Sequence, residues 1–236
     1  MKSLTVALIS LTQDNMNSKY KELYTEEYIN KLSNQDIYKI CRLLQYINFN
    51  NSDFVADYGC GDGKLSLLIS DKVEEYHGID FSEGFINEAM QKNFKRSNIF
   101  FHCKDLIEYA KENFNKFDKA FAFDFTEHIY DKDFEKIFSA IKETLKPNGK
   151  LYIHTPNGNY FIEMLKKAGI LKQFPEHVAV RNANQNVKLL ERIGFSKCET
   201  KYIPHYNKYL KWTHCLAWLP IIGKCFRARL FIICEG

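Results

Sequence analysis

The chain has 236 residues and a formal net charge of +4, from 33 lysine and arginine residues against 29 acidic ones. Hydrophobic residues make up 45% and charged residues 26%, which excludes a disordered or fibrous chain and provides for one sizeable core. So small an excess of positive charge does not by itself indicate a nucleic-acid-binding protein. No apolar run reaches the roughly 18 residues that a membrane-spanning helix needs.

Seven cysteines are present, and no two of them form a C-x-x-C pair. The odd number and the spacing argue against a zinc ribbon or a disulfide framework. The apolar run from Leu4 to Leu11 faintly resembles a signal peptide, but it is short and no small-residue cleavage site follows it. We therefore expect a reducing, cytoplasmic location.

The predicted elements alternate between helix and strand. Apolar residues three or four apart predict a helix between Glu26 and Ile47, and we expect residues 1–50 to form a helical cap or lid. Alternation after this point predicts a parallel sheet covered on both faces. The predicted strands are Phe54–Tyr58, Tyr76–Ile79, Ile99–His102, Ala120–Asp124 and Lys150–His154, and the helices between them are Lys64–Ser70, Ser82–Asn93 and Asp133–Leu145.

The last third of the chain departs from this alternation. A helix near Asn186–Ile193 precedes two strand-like segments, Phe195–Ile203 and Phe226–Cys234, which flank an aromatic insert near residues 206–224. Two strands joined by an insert predict an antiparallel edge. We therefore predict an α/β fold, a Rossmann-like doubly wound sheet that is mostly parallel with an antiparallel C-terminal edge strand, in a domain spanning residues 51–236.

Three alternating glycines, Gly59, Gly61 and Gly63, follow the first predicted strand. Glycine is needed where the backbone turns tightly and approaches a ligand without a Cβ atom in the way. The dinucleotide fingerprint G-x-G-x-x-G would need a glycine where Lys64 stands, and Asp62 puts a negative charge near the expected pyrophosphate. An NAD-dependent oxidoreductase is therefore disfavoured, and the P-loop spacing is absent from the sequence.

Together with Asp57, these glycines resemble the first motif of the class I S-adenosylmethionine-dependent methyltransferases, an acidic residue, one hydrophobic position and Gly-x-Gly-x-Gly. The resemblance implies S-adenosylmethionine as cofactor and S-adenosylhomocysteine as product. It also implies that acidic residues after the second and third strands contact the ribose and the adenine. The cofactor-binding residues that it implies are Asp57, Gly59, Cys60, Gly61, Gly63, Asp80, Phe81, Asp105, Leu106 and Phe123.

Each of these residues has a plainer interpretation when it is taken alone. A Gly-x-Gly-x-Gly segment is often only a turn, and an aspartate at a strand end is often a helix cap. The order and spacing of the four strand-end positions together favour a cofactor site.

The segment from Asp124 to His128 resembles the ubiquinone-biosynthesis O-methyltransferase branch, some members of which bind a divalent metal through acid-x-x-Glu-His. The matching metal ligands would be Asp124, Glu127 and His128, but Asp replaces the usual Glu and we do not favour the metal. The same segment offers Glu127 and His128 for acid–base catalysis. His154, at the end of the fifth strand, and His177, in a following loop, are further catalytic candidates.

We expect methyl transfer to a small-molecule acceptor, with oxygen favoured as the acceptor atom. Transfer to nitrogen or carbon of a small molecule or of a lipid- or glycan-linked acceptor stays open, as does a non-catalytic S-adenosylmethionine-binding scaffold. Nucleic acid is not an expected partner, because the sequence has no Asn-Pro-Pro-Tyr-type segment and no basic stripe. The sequence does not predict an oligomeric state.

Aromatic and basic residues alternate between Tyr202 and Phe226. One interpretation is an acceptor pocket or a surface for peripheral contact with a lipid headgroup. The plainer one, which we favour, is an inserted helical hairpin whose aromatic residues complete the core.

Overall fold

A computed structural model describes residues 37–236 of the chain. The fold of these residues is built on one sheet. The strands are Phe54–Tyr58 (β1), Glu75–Asp80 (β2), Ile99–Cys103 (β3), Phe117–Phe123 (β4), Leu145–Pro156 (β5), Ser196–Ile203 (β6) and Arg229–Glu235 (β7). Their order is β3-β2-β1-β4-β5-β7-β6. The first five are parallel, and β7 runs antiparallel to both of its neighbours. The predicted Rossmann-like sheet with an antiparallel edge is confirmed.

Helices cover both faces of the sheet. They are Ile37–Leu44 (α1), Lys64–Ile69 (α2), Glu83–Asn93 (α3), Leu106–Glu112 (α4), Asp131–Thr144 (α5), Phe161–Lys167 (α6) and Ala183–Ile193 (α7). The Ser82 side chain caps α3 by accepting a hydrogen bond from the backbone of Phe85, as its sequence position predicts. At the end of α7, Gly194 takes a left-handed φ of 96° that a side chain would disfavour.

Two apolar layers form the core, because successive strand residues point to opposite faces. In β4, Ala120 and Ala122 face the layer that contains Phe134 and Phe138 of α5. Phe121 between them faces the other layer, which α1 and α2 cover. Both faces of the central strands are therefore buried, as expected for a parallel sheet.

Some predicted boundaries differ from the structure. The predicted N-terminal helix is observed from Ile37, and its earlier part lies outside the described residues. Helix α5 ends at Thr144 and β5 begins at Leu145, so the Pro147-Asn148-Gly149 segment belongs to the strand. A register shift in the pairing of β4 with β5 accommodates those residues.

The favoured interpretation of the aromatic insert is wrong. The segment between β6 and β7 forms two runs of 3₁₀ turns, Leu210–Trp218 and Gly223–Phe226, and no helical hairpin. Trp212 is 71% exposed and Trp218 is 86% exposed, so neither ring completes the core. Short 3₁₀ turns bury little of the segment because they have no continuous apolar stripe to pack on the sheet.

Cys198 and Cys234 form a disulfide between β6 and β7, which the sequence argument did not predict. Cysteine number and spacing do not determine pairing, whereas the antiparallel register brings these two residues side by side. Within residues 37–236, no helix is long and apolar enough to cross a membrane.

Candidate active site

The glycine turn after β1 has all three glycines at positive φ, +74° at Gly59, +51° at Gly61 and +72° at Gly63. A Cβ atom at Gly59 would lie 2.7 Å from the Phe125 ring, and one at Gly63 would lie 2.9 Å from the Phe101 ring. A Cβ atom at Gly61 would meet nothing within 4 Å. The outer glycines therefore permit close packing, whereas the middle one faces open space.

A cavity of about 260 Å³ lies beside this turn, at the carboxyl ends of β1 and β4. This is where ligands bind in open parallel sheets. Of the predicted site residues, the cavity is lined by Asp57, Gly59, Cys60, Gly61, Phe123, Asp124, Glu127, His128 and His177. Its lining does not include Gly63, Asp80, Phe81, Asp105, Leu106 or His154.

Asp57 brings a buried carboxyl group to the cavity. It accepts a hydrogen bond from the Tyr76 hydroxyl, and none of the described residues forms an ion pair with it. Burial raises the pKa of Asp57 to about 7, since an ionised carboxylate loses its hydration there. A buried carboxyl group without a cationic partner fits the ammonium end of an amino acid.

Asp80 holds the glycine turn in place. Its carboxyl oxygens accept hydrogen bonds from the backbone N–H of Gly61 at 3.1 Å and of Ser82 at 2.9 Å. Burial raises the pKa of Asp80 to about 6. The ribose contact implied for Asp80 stays a prediction, because the structure gives it this bracing role.

The residues predicted to meet the adenine lie outside the cavity. Asp105 caps α4, accepting from the backbone N–H of Ile107 at 2.9 Å and of Glu108 at 3.1 Å. This is the helix-cap alternative for a strand-end aspartate. Leu106 packs against the core and Phe81 is half-buried, so the adenine contacts of these three residues stay predictions.

Glu127 and His128 belong to a 3₁₀ turn, Thr126–His128, directly after β4. The Glu127 side chain is buried and accepts a hydrogen bond from the Thr155 hydroxyl at 2.9 Å. Burial, reinforced by the charge of Asp124, raises the pKa of Glu127 to about 8. Glu127 is therefore mostly protonated at neutral pH.

His128 and His177 both line the cavity, and their ring centroids are 5.2 Å apart. Burial lowers the pKa of His128, and burial together with the neighbouring His128 lowers the pKa of His177 to about 3. Both imidazoles are neutral at pH 7. A neutral imidazole carries one ring nitrogen that can accept a proton.

The predicted metal ligands do not form the observed cluster. Ligand atoms of Glu127, His128 and His177 lie within 4.8 Å of one another, whereas Asp124 contacts the Lys39 ammonium group instead. A divalent metal, which the sequence argument did not favour, therefore stays an untested prediction, with His177 in the place of Asp124.

Asp124 carries the stable negative charge of the site, in a backbone conformation with φ +49°. Burial opposes its ionisation, but Lys39, His154 and Arg229 hold the pKa of Asp124 well below its ordinary range. His154 Nδ1 lies 2.8 Å from Asp124, and its Nε2 lies 2.9 Å from the Tyr206 hydroxyl. His154 contacts Asp124 and does not line the cavity, so its catalytic role stays a prediction.

Sequence reasoning missed Lys39 and Arg229, which both line the cavity. They come from α1 and from the start of β7, 190 positions apart (229 minus 39), and only the strand order brings them together. No local sequence signal distinguishes them from other basic residues.

Residues 55–149 match a family model described as a methyltransferase domain. This range is therefore similar to that family. The match covers β1, the glycine turn and the segment with Glu127 and His128, so the predicted class I methyltransferase resemblance is confirmed over this range.

Relatives of the methyltransferase domain differ in the acceptor that their names imply. Phosphoethanolamine N-methyltransferase 2 of Caenorhabditis elegans is 29% identical over 172 residues, which are 69% of this chain and 37% of that protein. The ubiquinone biosynthesis O-methyltransferase of Coxiella burnetii is 31% identical over 107 residues, 45% of this chain and 44% of that protein. The chain therefore spans less than half the length of these two curated relatives.

The fold is also similar to solved structures. An S-adenosylmethionine-dependent methyltransferase from Archaeoglobus fulgidus matches with a TM-score of 0.66 and 19% identity, over 85% of this chain and 95% of that one. This agreement extends the shared architecture beyond residues 55–149 to most of the described chain.

Proposed function

We propose that the protein transfers the methyl group of S-adenosylmethionine to a small-molecule acceptor in the cavity beside the glycine turn. The observation that carries this proposal is the open position at Gly61 beside the buried carboxyl group of Asp57. A backbone without a Cβ atom admits the amino acid end of the cofactor, and the carboxylate meets its ammonium group. The methyltransferase domain match at residues 55–149 supports the same assignment.

S-adenosylmethionine, when bound, would supply an electrophilic methyl carbon that an acceptor atom attacks in line, with S-adenosylhomocysteine as the leaving group. The chain's residues would hold the two reactants in that alignment, which alone contributes much of the rate. Asp57, Cys60 and Gly61 would hold the cofactor, and Phe123 would pack beside it. Asp80 would keep the turn in its ligand-ready conformation through Gly61.

His128 would accept the proton that a hydroxyl acceptor loses. The ring makes a hydrogen bond with the backbone of Glu176, and as a neutral imidazole it carries its acceptor nitrogen on the other side. Protonated Glu127 would act as a hydrogen-bond donor toward the acceptor. A neutral base next to the cavity favours transfer to oxygen.

Transfer to nitrogen is the second candidate, because one relative is named a phosphoethanolamine N-methyltransferase. An alkylamine acceptor is mostly protonated at neutral pH, but raising the pH frees its lone pair without a base in the site. Replacing His128 by Gln should therefore reduce transfer to a hydroxyl acceptor by about 100- to 1000-fold, and largely preserve transfer to an amine at a pH high enough to deprotonate it.

Calorimetric titration with S-adenosylmethionine, and separately with NAD, tests the cofactor. Wild-type protein should bind the former and not the latter, and Gly61→Ala should reduce the affinity at least tenfold. Gly169→Ala is the matched control, since Gly169 also has a positive φ of +76° with open space around its Cβ position but does not line the cavity.

Two results would overturn the proposal. Failure of the wild type to bind S-adenosylmethionine removes its cofactor. Binding without methyl transfer to any hydroxyl, amine or carbon acceptor in a broad screen would instead support the non-catalytic scaffold.

A further inference from the structure

The segment between β6 and β7 presents an unusually apolar surface to solvent. Trp218 is 86% exposed and Ile221 is 89% exposed, and Ile221 is held outward in a left-handed backbone conformation with φ +65°. Large contiguous apolar patches on soluble domains mark interaction sites. The exposed apolar residues, which we call the insert surface, are Tyr209, Trp212, Leu216, Trp218, Leu219, Ile221 and Ile222.

The charged residues in the segment that contains the insert surface are all basic. Residues 200–234 contain six lysine or arginine residues and no aspartate or glutamate, whereas the remaining 201 residues contain 27 basic and 29 acidic ones (33 minus 6, against 29). The chain's net positive charge is therefore concentrated in residues 200–234. No described acidic side chain forms an ion pair with the exposed Lys208, Lys211 or Lys224.

Ammonium groups lie beside the exposed rings. Lys208 Nζ is 4.9 Å from the centroid of Tyr209, and Lys211 Nζ is 5.3 Å from the centroid of Trp212. A ring with a cation at its side suits the headgroup layer of a bilayer, where aromatic rings sit among glycerol esters and lysines reach phosphates.

The insert surface adjoins a second exposed apolar stretch. Phe161 of α6 packs on Phe226 of the insert, with ring centroids 5.9 Å apart. The chain after Phe161 exposes Met164 and Ile170, and it continues to Phe174, which lines the cavity. The apolar surface therefore leads toward the candidate active site.

We propose that the insert surface docks the protein onto an anionic phospholipid bilayer. Tryptophan, leucine and isoleucine side chains enter the boundary of the acyl chains, and Lys208, Lys211 and Lys224 contact lipid phosphates. A bilayer fits better than a protein partner, because protein interfaces are depleted in lysine, whereas three exposed lysines, Lys208, Lys211 and Lys224, lie in the segment that forms this surface. Docking is peripheral, since no helix of the described chain could span the membrane.

Intrinsic fluorescence provides a direct test, because the chain's two tryptophans, Trp212 and Trp218, both lie on the insert surface. The probes are vesicles of phosphatidylcholine alone and of phosphatidylcholine mixed with phosphatidylglycerol, without cofactor or acceptor. The mixed vesicles should shift the emission to shorter wavelength and co-sediment the protein. Higher salt should weaken both effects.

Two triple variants separate the apolar and ionic contributions. Trp212→Ser/Trp218→Ser/Ile221→Ser should lose sedimentation with the mixed vesicles. Lys208→Gln/Lys211→Gln/Lys224→Gln keeps both tryptophans and should bind the mixed vesicles about 100-fold more weakly. Phe94→Ser/Phe114→Ser is the matched control, since both rings are more than 70% exposed and lie outside the insert, and it should bind normally.

Unchanged emission and no sedimentation of the wild type would overturn the proposal. Loss of binding in the phenylalanine control would do the same, because the effect would then be general. Concentration-dependent self-association that the tryptophan variant abolishes, without vesicle binding, would assign the surface to a second copy of the chain. The assay uses no methyl transfer, so its outcome is separate from that of the proposed function.

Discussion

Around the cavity, two buried carboxyl groups have higher pKa values than two imidazoles, which is the reverse of the order in water. Burial raises the pKa of Asp57 to about 7 and of Glu127 to about 8, and it lowers the pKa of His128 and of His177. The carboxyl groups therefore hold protons at a pH where the imidazoles do not. Groups whose environments separate their protonation in this way are suited to acid–base roles.

The pH dependence of turnover should identify the base. Because burial lowers the pKa of His128, its imidazole stays neutral below pH 6.5, and kcat should be constant from neutral pH down through that value before it falls. His128→Gln should reduce kcat by about 100- to 1000-fold with a hydroxyl acceptor and leave the affinity for S-adenosylmethionine unchanged. Steady-state kinetics over a pH series measures both quantities.

His214→Gln is the control for that experiment, because His214 is half-buried in the insert and does not line the cavity. A profile that instead rises through about pH 8, and loses this rise in Glu127→Gln, would assign the base to Glu127.

Asp57→Asn should separate stability from binding. The folded-state pKa of Asp57 is raised above its unfolded value, so ionisation of Asp57 lowers the free energy of unfolding. This destabilisation is absent below about pH 3.8 and reaches its full size above about pH 7. The variant without ligand should therefore unfold at a higher temperature than the wild type at pH 8, and this difference should vanish toward pH 4. Its affinity for S-adenosylmethionine should nevertheless fall.

Thermal unfolding across that pH range and calorimetric titration make these two measurements. Asp71→Asn, at an exposed position, is expected to change neither. Equal losses of stability and affinity in Asp57→Asn would mean that Asp57 is a structural residue only.

At the scale of elements, the sequence predicted best where one local signal decides the structure. The observed bounds of β1 are the predicted ones, Phe54–Tyr58, since its apolar run ends directly at the glycine turn. Helix α4 was not predicted, because seven residues show too little periodicity and Asp105, its cap, was assigned to the cofactor. Pro147 suggested a helix stop but lies within β5, where pairing with β4 absorbs the irregular register.

Helix α1 should act as the movable wall of the cavity. It contributes Lys39 and Ile40 to the lining, and Lys39 ties it to Asp124 after β4. Lys39→Met should remove that tie and speed release of S-adenosylhomocysteine about tenfold, while the packing of Leu43 preserves the fold. Stopped-flow displacement measures the release rate.

Lys72→Met, at an exposed lysine outside the lining, is the control and should release product at the wild-type rate. An unchanged rate in Lys39→Met would identify α1 as a fixed wall and would remove the support for a lid within residues 1–50.

At the scale of the whole molecule, the candidate site combines residues that the sequence could and could not locate. The glycine turn and the Glu127-His128 pair lie within motifs, so the sequence located them. The positions of Lys39 and Arg229 at the cavity depend on long-range strand order. The exposure of Trp218 depends on how much of the 25-residue connection, residues 204–228, the sheet can cover. The sequence shows that the insert is rich in aromatic residues, but only packing decides which of their rings are exposed to solvent.

The strand register gives that connection a further property. Ile203, the last residue of β6, pairs directly with Arg229, the first residue of β7. The connection therefore leaves the sheet and returns to it at one pair of neighbouring residues, so its two ends are held together. The sequence and length of the connection can therefore change without shifting a strand. The insert surface can evolve independently of the cavity for the same reason.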